Sequence, residues 1–599
     1  MKEKLEFYNR RIKEKEDELK GINGRYNLVS ALRFVDCIVL IVFAANYFFG
    51  SSFKMVSVVF VIVAIIIFFA LIKWHNIVEA ERTSVENSIN LNSDDIKRSS
   101  GEWKEFLDTG EEYLDGEHKF ASDLDVFGKK SFFQWVNATR TIYGREKLRD
   151  RLVFKDGLSK NEIYKTQDAL KELALKFEFR EKFLSALGKE DFSDKNKEKK
   201  HFILEWAKTD NSSFLSTGIT ILRFVAPIIT LSALVFAFLG MVDVVTFLSL
   251  LAVNYIIVKR VSREAESGIN LFEELKGDLS GYVVALKLLE NETFNSEKLK
   301  AIQSRVINKG KASQELESLY GIGSWINDRH NAFYIILNAA LYFDYHLLAR
   351  AEKWKIKNKE HINDWMMAIG EFEALESLSV VSGNEYVMPV INDDLILEAE
   401  EIVHPMLLEE GVKNSFRLDK SKRVALITGS NMSGKSTFLR SIGFSMFLSY
   451  LGLGVKAKSF KTPIVSIYTC MRTADNLNEN ISSFYAEIKR VKKIVDGAKN
   501  NERIIFLLDE IFKGTNSIDR HEGAEVLINQ LLEGESIGLV STHDLELCDM
   551  EKEDNFVVNY NFREYYENDK LKFDYKLRDG VSKTRNARYL MRMAGIEIE

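Results

Sequence analysis

Proline is nearly absent from this chain, with 4 residues in 599, against an ordinary usage of about 5%. So few ring-locked residues leave long helices uninterrupted. Cysteine is as scarce. Cys37, Cys470 and Cys548 are odd in number and far apart, which excludes a disulfide framework and a cysteine-spaced metal site and fits a reducing compartment. Positive charge is not in excess either. Lys and Arg total 82 against 88 Asp and Glu, a net charge of −6, so no global basic field points to nucleic acid. No low-complexity tract interrupts the chain, and no cleavable leader is expected. The first apolar run starts near Leu28, behind a mixed-charge stretch too long for a signal n-region. At 46% hydrophobic and 28% charged the chain is globular, with room for several domains.

Two regions are strongly apolar. From Met55 to Ile72, 18 residues carry no charge between Lys54 and Lys73. As a helix this run spans about 27 Å at ~1.5 Å per residue, close to a hydrocarbon core of about 30 Å. The run before it, Leu32 to Phe49, holds Arg33 and Asp36 three apart near its start, spaced to pair or snorkel. In the second region Phe224–Val242 and Val244–Val258 are uncharged on either side of Asp243, and Lys259–Arg260 close it. Each region reads as two helices with a short connection, hence a membrane hairpin, and four spans in all. The competing reading, two apolar hairpins buried in a soluble core, sits poorly with the basic brackets. Arg10, Arg11, Lys13, Arg25, Lys73, Lys259 and Arg260 lie on the tail sides, with Lys54 the exception. The positive-inside rule then places both termini in the cytoplasm.

The stretch "VALITGSNMSGKSTFLRSIG", Val424 to Gly443, runs from β-branched residues through a glycine loop into helical spacing. Gly429, Gly434, Lys435 and Ser436 fit G-x-x-x-x-G-K-[ST] in the strand–loop–helix setting that a phosphate loop needs. Backbone N–H groups from Gly429 through Ser430, Asn431, Met432, Ser433 and Gly434 to Thr437 would cradle phosphates. Lys435 would reach the β- and γ-phosphates, and Ser436 would offer its hydroxyl to Mg²⁺. Downstream, "RIIFLLDE" is an apolar strand ending in two acids. Asp509 would hold Mg²⁺ and Glu510 would orient or deprotonate the attacking water. A third strand, "SIGLVSTH", ends in His543, placed to sense the γ-phosphate.

These parts resemble the ATPase domain of the MutS family of DNA mismatch-repair proteins. "TGSNMSGKST" resembles the family's T-G-P-N-M-x-G-K-S-T, and its Asn431–Met432 pair separates it from transporter ATPases, whose LSGGQ is also missing. "LLDEIFKGTNSIDR", "STHDLEL" and "NISSFYAEI" resemble the family's L-x-D-E-[IL]-G-R-G-T-S-T-x-D-G, T-H-[YF]-x-E-L and signature S-T-F-x-x-E-M. "FDYKLRDGVSKTRNARYLMRMAGI" resembles the end of the domain. Upstream, "DLDVFGKKSFFQWVNATRTIYGREKLRDRL", with Thr141 and Gly144 in a T-x-x-G pattern, resembles the family's core, and "WMMAIGEFEALESLS" its helical return to the ATPase. The likeness covers about 119–190 and 320–599.

The resemblance implies ATP with Mg²⁺ as ligands and a homodimer with composite sites. Asn431 would help position the lytic water, and Ser482, with Ser483 beside it, would serve ATP held by the partner subunit. Asp519 would sit in a loop communicating between sites. Phe512 and Lys513 replace the family's G-R, Arg520 replaces a glycine, and Gly411–Val412 stand where the family has an adenine-stacking aromatic. No mismatch-reading domain, clamp or C-terminal helical extension is recognisable.

The expected fold is an ABC-like α/β P-loop ATPase domain of MutS type, C-terminal to a mostly α-helical core and lever region that carries two transmembrane hairpins. The expected division is a polar segment (1–26), hairpin 1 (27–74), a helical connector (75–118), a first core segment (119–213), hairpin 2 (214–260), a lever with a second core segment (261–400) and the ATPase domain (401–599). The expected function is a membrane-anchored ATPase coupled to DNA in repair or recombination. The alternative is a membrane mechanochemical ATPase working on a protein or lipid partner without mismatch recognition.

Overall fold

Scarce proline has its expected consequence at the N-terminus. In the computed structural model, helix α1 runs Lys2–Phe49 and helix α2 runs Lys54–Ser100 without a break. The boundaries expected at 26 and 74 therefore fall inside helices. The structure describes residues 2–49, 54–188, 201–210, 212–264, 266–307, 310–327, 332–381, 386–407, 411–472, 483–567 and 570–582. The chain forms two units. One gathers Met1–Trp103, Ala138–Leu148 and Leu175–Glu376, and the other Lys104–Asn137, Arg149–Ala174 and Ser377–Glu599.

The first unit is helical. Its α1 and α2 pack antiparallel. Near the tip the rings of Phe43 and Phe60 stack at 4.5 Å, and Asn46 Nδ2 donates to Ser57 Oγ at 2.8 Å. Farther down, Ile22, Val78 and Val85 form a small core, and Arg25 pairs with Glu81 at 3.0 Å. Arg33 turns its guanidinium over the Phe68 ring (5.9 Å), not towards Asp36. The apolar parts are bare. Met55 is 83% and Phe34 69% exposed, which burial in a soluble core would not leave.

Beyond helix α3 (Ile142–Leu152) and helix α4 (Phe177–Ala186) comes the second apolar pair, α5 (Thr217–Phe238) and α6 (Val244–Glu264). Helices α7 (Ala332–Leu341) and α8 (Phe343–Ser379) follow. Among the described residues three helices are long and apolar enough to cross a membrane: Leu5–Tyr47, Met55–Ser100 and Thr217–Ala237. The uncharged run of α6 stops at Val258, and its last turn carries charge. These helices mark a membrane-associated protein.

The polar ends of α1 and α2 dock on α4. Glu181, almost fully buried, accepts from Arg11 (2.5 Å), Ser88 (2.5 Å) and Asn92 (2.7 Å). Arg180, next along the helix, pairs with buried Glu376 at 2.5 Å. The Thr141–Gly144 pattern also has a physical reason. Glu373 on α8 accepts from the N–H groups of Arg140 (2.6 Å) and Thr141 (3.2 Å) and from the Thr141 hydroxyl (2.5 Å). Thr141 Oγ1 in turn accepts from Gly144 N at 3.1 Å, closing the first turn of α3. A Cβ on Gly144 would stand 2.4 Å from Glu373 Oε2, so no larger residue fits.

The second unit is α/β with mixed sheets. A six-stranded sheet has the order β12 (Arg578–Asp579), β9 (Val557–Asn561), β4 (Val424–Thr428), β8 (Ser536–Thr542), β7 (Ile504–Asp509), β6 (Ser466–Cys470). All its pairs are parallel except β12 with β9. Buried β4, and β7 buried as far as Leu508, are the continuous apolar runs that a covered parallel sheet requires. A four-stranded sheet, β1 (Val390–Asn392), β5 (Ser459–Pro463), β2 (Leu397–Ile402) and β3 (Asn414–Leu418), and a hairpin of β10 (Glu564–Glu567) and β11 (Lys570–Phe573) complete it. Helix α9 (Lys435–Tyr450) lies under an aromatic cluster, with Phe444 and Phe447 each about 5.5 Å from Phe132, at 5.5 and 5.4 Å, and Phe120 5.9 Å from Phe447.

Burial pushes the Glu373 carboxyl up from its ordinary 4.5 to about 7, against the hydrogen bonds from Thr141 and Arg140. A carboxyl raised on folding contributes stability that is complete below about 4.5 and is lost as pH rises through about 7. The loss amounts to roughly 3 kcal/mol at ~1.4 kcal/mol per pKa unit. Denaturant unfolding at pH 5 and pH 7.5, followed by helical circular dichroism, should show this fall in the wild type and a much flatter response in Glu373→Gln. Equal slopes in the two proteins would refute the assignment.

Candidate functional site

The register of three neighbouring strands brings three chain segments to one edge. Thr428, the last residue of β4, pairs with Thr542 of β8, and Ser541 pairs with Asp509 of β7. The glycine loop, Glu510 and His543 therefore leave the C-terminal ends of adjacent strands, where open α/β sheets place ligands.

The loop is tight. Gly434 (φ 106) caps α9 in a conformation that glycine adopts freely. A Cβ on Gly429 would stand 2.8 Å from Ser433 Oγ and 2.9 Å from Phe562 O. Met432 has φ 66 and its side chain is exposed. Ser430 Oγ donates to Glu564 Oε2 at 2.9 Å, and Ser433 Oγ is buried without a partner. Ser436 and Thr437 lie in the first turn of α9, Thr437 exposed and Ser436 half-buried.

Lys435 is buried, and its ammonium turns back on the loop, donating to Gly429 O (2.9 Å) and Ser430 O (3.2 Å). Its Nζ stands 3.5 Å from Glu510 Oε1. Burial lowers the ammonium's proton affinity, and Glu510 and Asp509 oppose that. His543 Nε2 lies 3.0 Å from Glu510 Oε1 and 2.8 Å from Asn431 Oδ1. Two oxygen acceptors require Nε2 to carry a proton, so Lys435 Nζ, 3.3 Å away, is a neighbour and not its donor. Lys513 closes on Glu510 Oε2 at 2.8 Å. The carboxyl of Glu510 is held well below the ordinary range, first by the His543 hydrogen bond, with Lys513 and Lys435 adding to it against burial. Asp509 accepts from the Ser541 hydroxyl.

Asn431, Lys435, Asp509, Glu510 and His543 thus come together. Ser482 lies outside the described residues, and Ser483 opens helix α10 (Ser483–Lys499) with its side chain also outside them. Asp519 lies in the first turn of helix α11 (Ser517–Leu532). Its N–H donates to Asn516 Oδ1 at 2.9 Å, and its carboxylate accepts from Asn516 Nδ2 at 2.8 Å.

Tyr575, Asp123 and Glu487 stand in the stretches quoted above, but the partners they take escaped the sequence reading. Tyr575, 45% exposed with φ 54, places its ring 3.2 Å from where a Cβ on Gly434 would stand. Asn414 holds that turn, donating to Tyr575 O (3.0 Å) and accepting from Leu577 N (2.8 Å). Its distance along the chain from the loop hid it. Buried Asp123 accepts from Thr469 Oγ1 (2.8 Å), Met471 N (3.1 Å), Arg472 N (3.0 Å) and Arg490 Nη1 (3.3 Å). It fastens the exit of β6 to α10. Glu487 accepts from the N–H of Phe512, whose ring faces Phe484 at 6.5 Å. Phe512 has φ 61, a left-handed conformation that costs a non-glycine residue about 1–2 kcal/mol. The acid three residues after Phe484 in "SSFYAE" was the available signal.

The phosphate ligand set fits this loop. It has an orphaned buried hydroxyl at Ser433, an ammonium turned inward, and backbone packed too closely for side chains. The oxygen donors of Ser436 and Asp509 are of the kind Mg²⁺ takes.

Residues 425–597 match the family model described as MutS domain V. The DNA mismatch repair protein MutS of Persephonella marina is 27% identical over 260 residues, which cover 42% of this chain and 30% of that protein. The protein of the same name from Desulforapulum autotrophicum is 28% identical over 326 residues, 53% of this chain and 33% of its own. The one from Listeria monocytogenes serotype 4a is 30% identical over 229 residues, 37% and 26%. The chain therefore spans at most a third of the length of these relatives. Through the stretch that carries this site, the chain is similar to proteins of the MutS family.

Proposed function

We propose that the chain is a membrane-anchored ATPase of MutS type that binds ATP in the loop Gly429–Thr437, hydrolyses it in a dimeric composite site, and couples the cycle to DNA in repair or recombination. The observation that carries the reading is the meeting of Lys435, Glu510 and His543 within 3.5 Å at one sheet edge, beside the orphaned Ser433 hydroxyl. The membrane portion rests on the three long apolar helices, and the DNA portion on the name that the relatives carry.

Lys435 would move its hydrogen bonds from the Gly429 and Ser430 carbonyls to β- and γ-phosphate oxygens. That removes one cation from Glu510 and raises its capacity to take a proton from the attacking water. Asn431 and His543, already bonded to each other, would hold that water and the γ-phosphate side. Mg²⁺, held by Ser436 and Asp509, would supply positive charge for the phosphates. Ser482 and Ser483 would complete the open side of the partner subunit's site, because donors must meet the diffuse negative charge from both sides.

Tyr575 would offer its ring to the adenine. It takes the place of the aromatic that the family carries upstream and that Gly411–Val412 lack.

Glu510→Gln should keep ATP binding and lose turnover by ~10²-fold or more, the usual size of a general-base effect. Lys435→Ala should lose binding. Mixing Lys435→Ala with the double variant Ser482→Ala/Ser483→Ala should restore turnover above either parent. No recovery in demonstrated mixed dimers would count against the composite site.

For the base contact, Tyr575→Ala should weaken ATP by about tenfold, in the range of ~1–3 kcal/mol seen for base–aromatic stacking. The same change should leave inorganic triphosphate unaffected. Equal loss for both ligands would reassign Tyr575 to holding the loop.

The DNA coupling is tested by ATPase titrations with duplex and branched DNA at about 50 and 200 mM salt. Stimulation that falls steeply with salt is expected, since phosphate contacts release counterions. No response to any DNA would turn the reading towards a protein or lipid partner.

A further inference from the structure

Pro227 stands inside α5 and has no N–H, so the carbonyl four residues earlier, Arg223 O, loses its helical donor. His346 of α8 fills the gap, with Nε2 3.0 Å from Arg223 O. Four residues before it, the Tyr342 hydroxyl donates to Asn254 Oδ1 at 2.9 Å. Asn254 Nδ2 donates to Thr230 Oγ1 at 2.8 Å, and Thr230 donates to Ala226 O at 2.8 Å. Tyr342, Asn254 and Thr230 are all buried. This chain of bonds ties the residues between α7 and α8 to both legs of the second hairpin.

The depth of the tie follows from the helices. Asn254 is ten residues past the start of α6 at Val244, and Thr230 is eight before the end of α5 at Phe238. At ~1.5 Å per residue the bonds lie about 12–15 Å from the hairpin tip, near the middle of a hydrocarbon core of about 30 Å.

From Asn331 to Phe343 no residue is charged. A run of about 10–14 apolar residues is too short to span and is either a core helix or a re-entrant one. A core helix would be covered on all sides. Here Tyr334, Asn338 and Ala339 are buried, while Ile336 is 61% and Ile335 43% exposed. Helix α7 packs on both α5 and α6, whose own apolar residues Ile228, Ile229, Val253 and Ile256 are also exposed.

Lipid tolerates a helix break only where the backbone groups it frees are bonded. At the break, Tyr342 (φ 54), several of the freed groups are bonded. Tyr342 N donates to Asn338 O (2.8 Å), Asp344 N to Asn338 Oδ1 (2.9 Å), and Tyr345 N and His346 N to Tyr342 O (3.1 and 3.4 Å). The Asp344 carboxylate accepts from Tyr334 OH (2.6 Å) and Asn338 Nδ2 (2.7 Å).

We propose that α7 is a re-entrant element of the membrane region. Ile335 and Ile336 lie against lipid acyl chains, continuous with the bare faces of α5 and α6, and helix α8 starts inside the bilayer. The proposal rests on the membrane reading of the second hairpin.

The test uses the full chain in phosphatidylcholine nanodiscs, where water reaches both faces. Single cysteines replace Ile336, Ile335, Ile228 in the hairpin, or Lys300 on an exposed polar helix, and a charged maleimide is applied over the parent's own background. Ile336→Cys and Ile335→Cys should label at least ~10-fold more slowly than Lys300→Cys and like Ile228→Cys, because a thiol in lipid does not ionise to the reactive thiolate. Fast labelling at Ile335 and Ile336 with slow labelling at Ile228 overturns the re-entrant helix and leaves the hairpin in the membrane. Fast labelling at all three overturns the membrane reading as well.

Discussion

The parallel register of β4, β8 and β7 is the constraint on which the candidate site depends. Thr428 opposite Thr542 and Asp509 opposite Ser541 fix where each strand stops relative to its neighbours. Side chains alternate along a strand, so a slip of one residue would turn Asp509 to the opposite face and carry His543 away from Glu510. The register is secured by burial on both faces and by small local fits. Gly538 of β8 leaves room for the Phe506 ring of β7, which a Cβ would meet within about 2.1 Å. The chemistry at the edge is the product of packing several residues below it.

A second constraint governs the helical unit, where buried charge must find partners. Glu181 on α4 accepts from Arg11, Ser88 and Asn92, and Glu376 on α8 pairs with Arg180. Removing one partner would strand a buried charge, which costs more than the pair contributes. The polar halves of α1 and α2 are held on α4 by this logic, and hairpin 1 is a continuation of helices already anchored at Glu181.

Signals confined to a short window were legible in the sequence. The glycine loop, the acids closing β7 and the histidine closing β8 each follow a β-branched run, and the structure places them at adjacent strand ends. The apolar helices were legible because lipid demands an unbroken run that soluble folding seldom supplies. Long-range partnerships were not. Tyr575 reaches the loop from far downstream, and Asp123 reaches β6 and α10 from far upstream, so no periodicity links them. The continuity of α1 from Lys2 was missed because its first half is polar all round until Arg11 and Leu19 meet partners from distant segments. Glu487 was seen as one residue of a motif, but its bond to Phe512 N depends on a left-handed backbone that phenylalanine rarely adopts.

The two hairpins are built on different physics. Among the described residues, the apolar legs of hairpin 1 meet in the Phe43–Phe60 stack and, near the tip, in the Asn46–Ser57 hydrogen bond. Apolar contact gives little preference between neighbouring side chains and lipid, because the tails are as apolar as leucine. Such a pair anchors without fixing a partner. Hairpin 2 is held by hydrogen bonds, and in the proposed membrane setting their alternative is an unsatisfied group. Pro227 creates a vacant acceptor that His346 fills, and Asn254 spends both ends of its amide on Thr230 and Tyr342. Hairpin 2 is therefore committed to one neighbour, the start of α8, in a way hairpin 1 is not. If either hairpin transmits motion to the membrane, directional bonds make it hairpin 2.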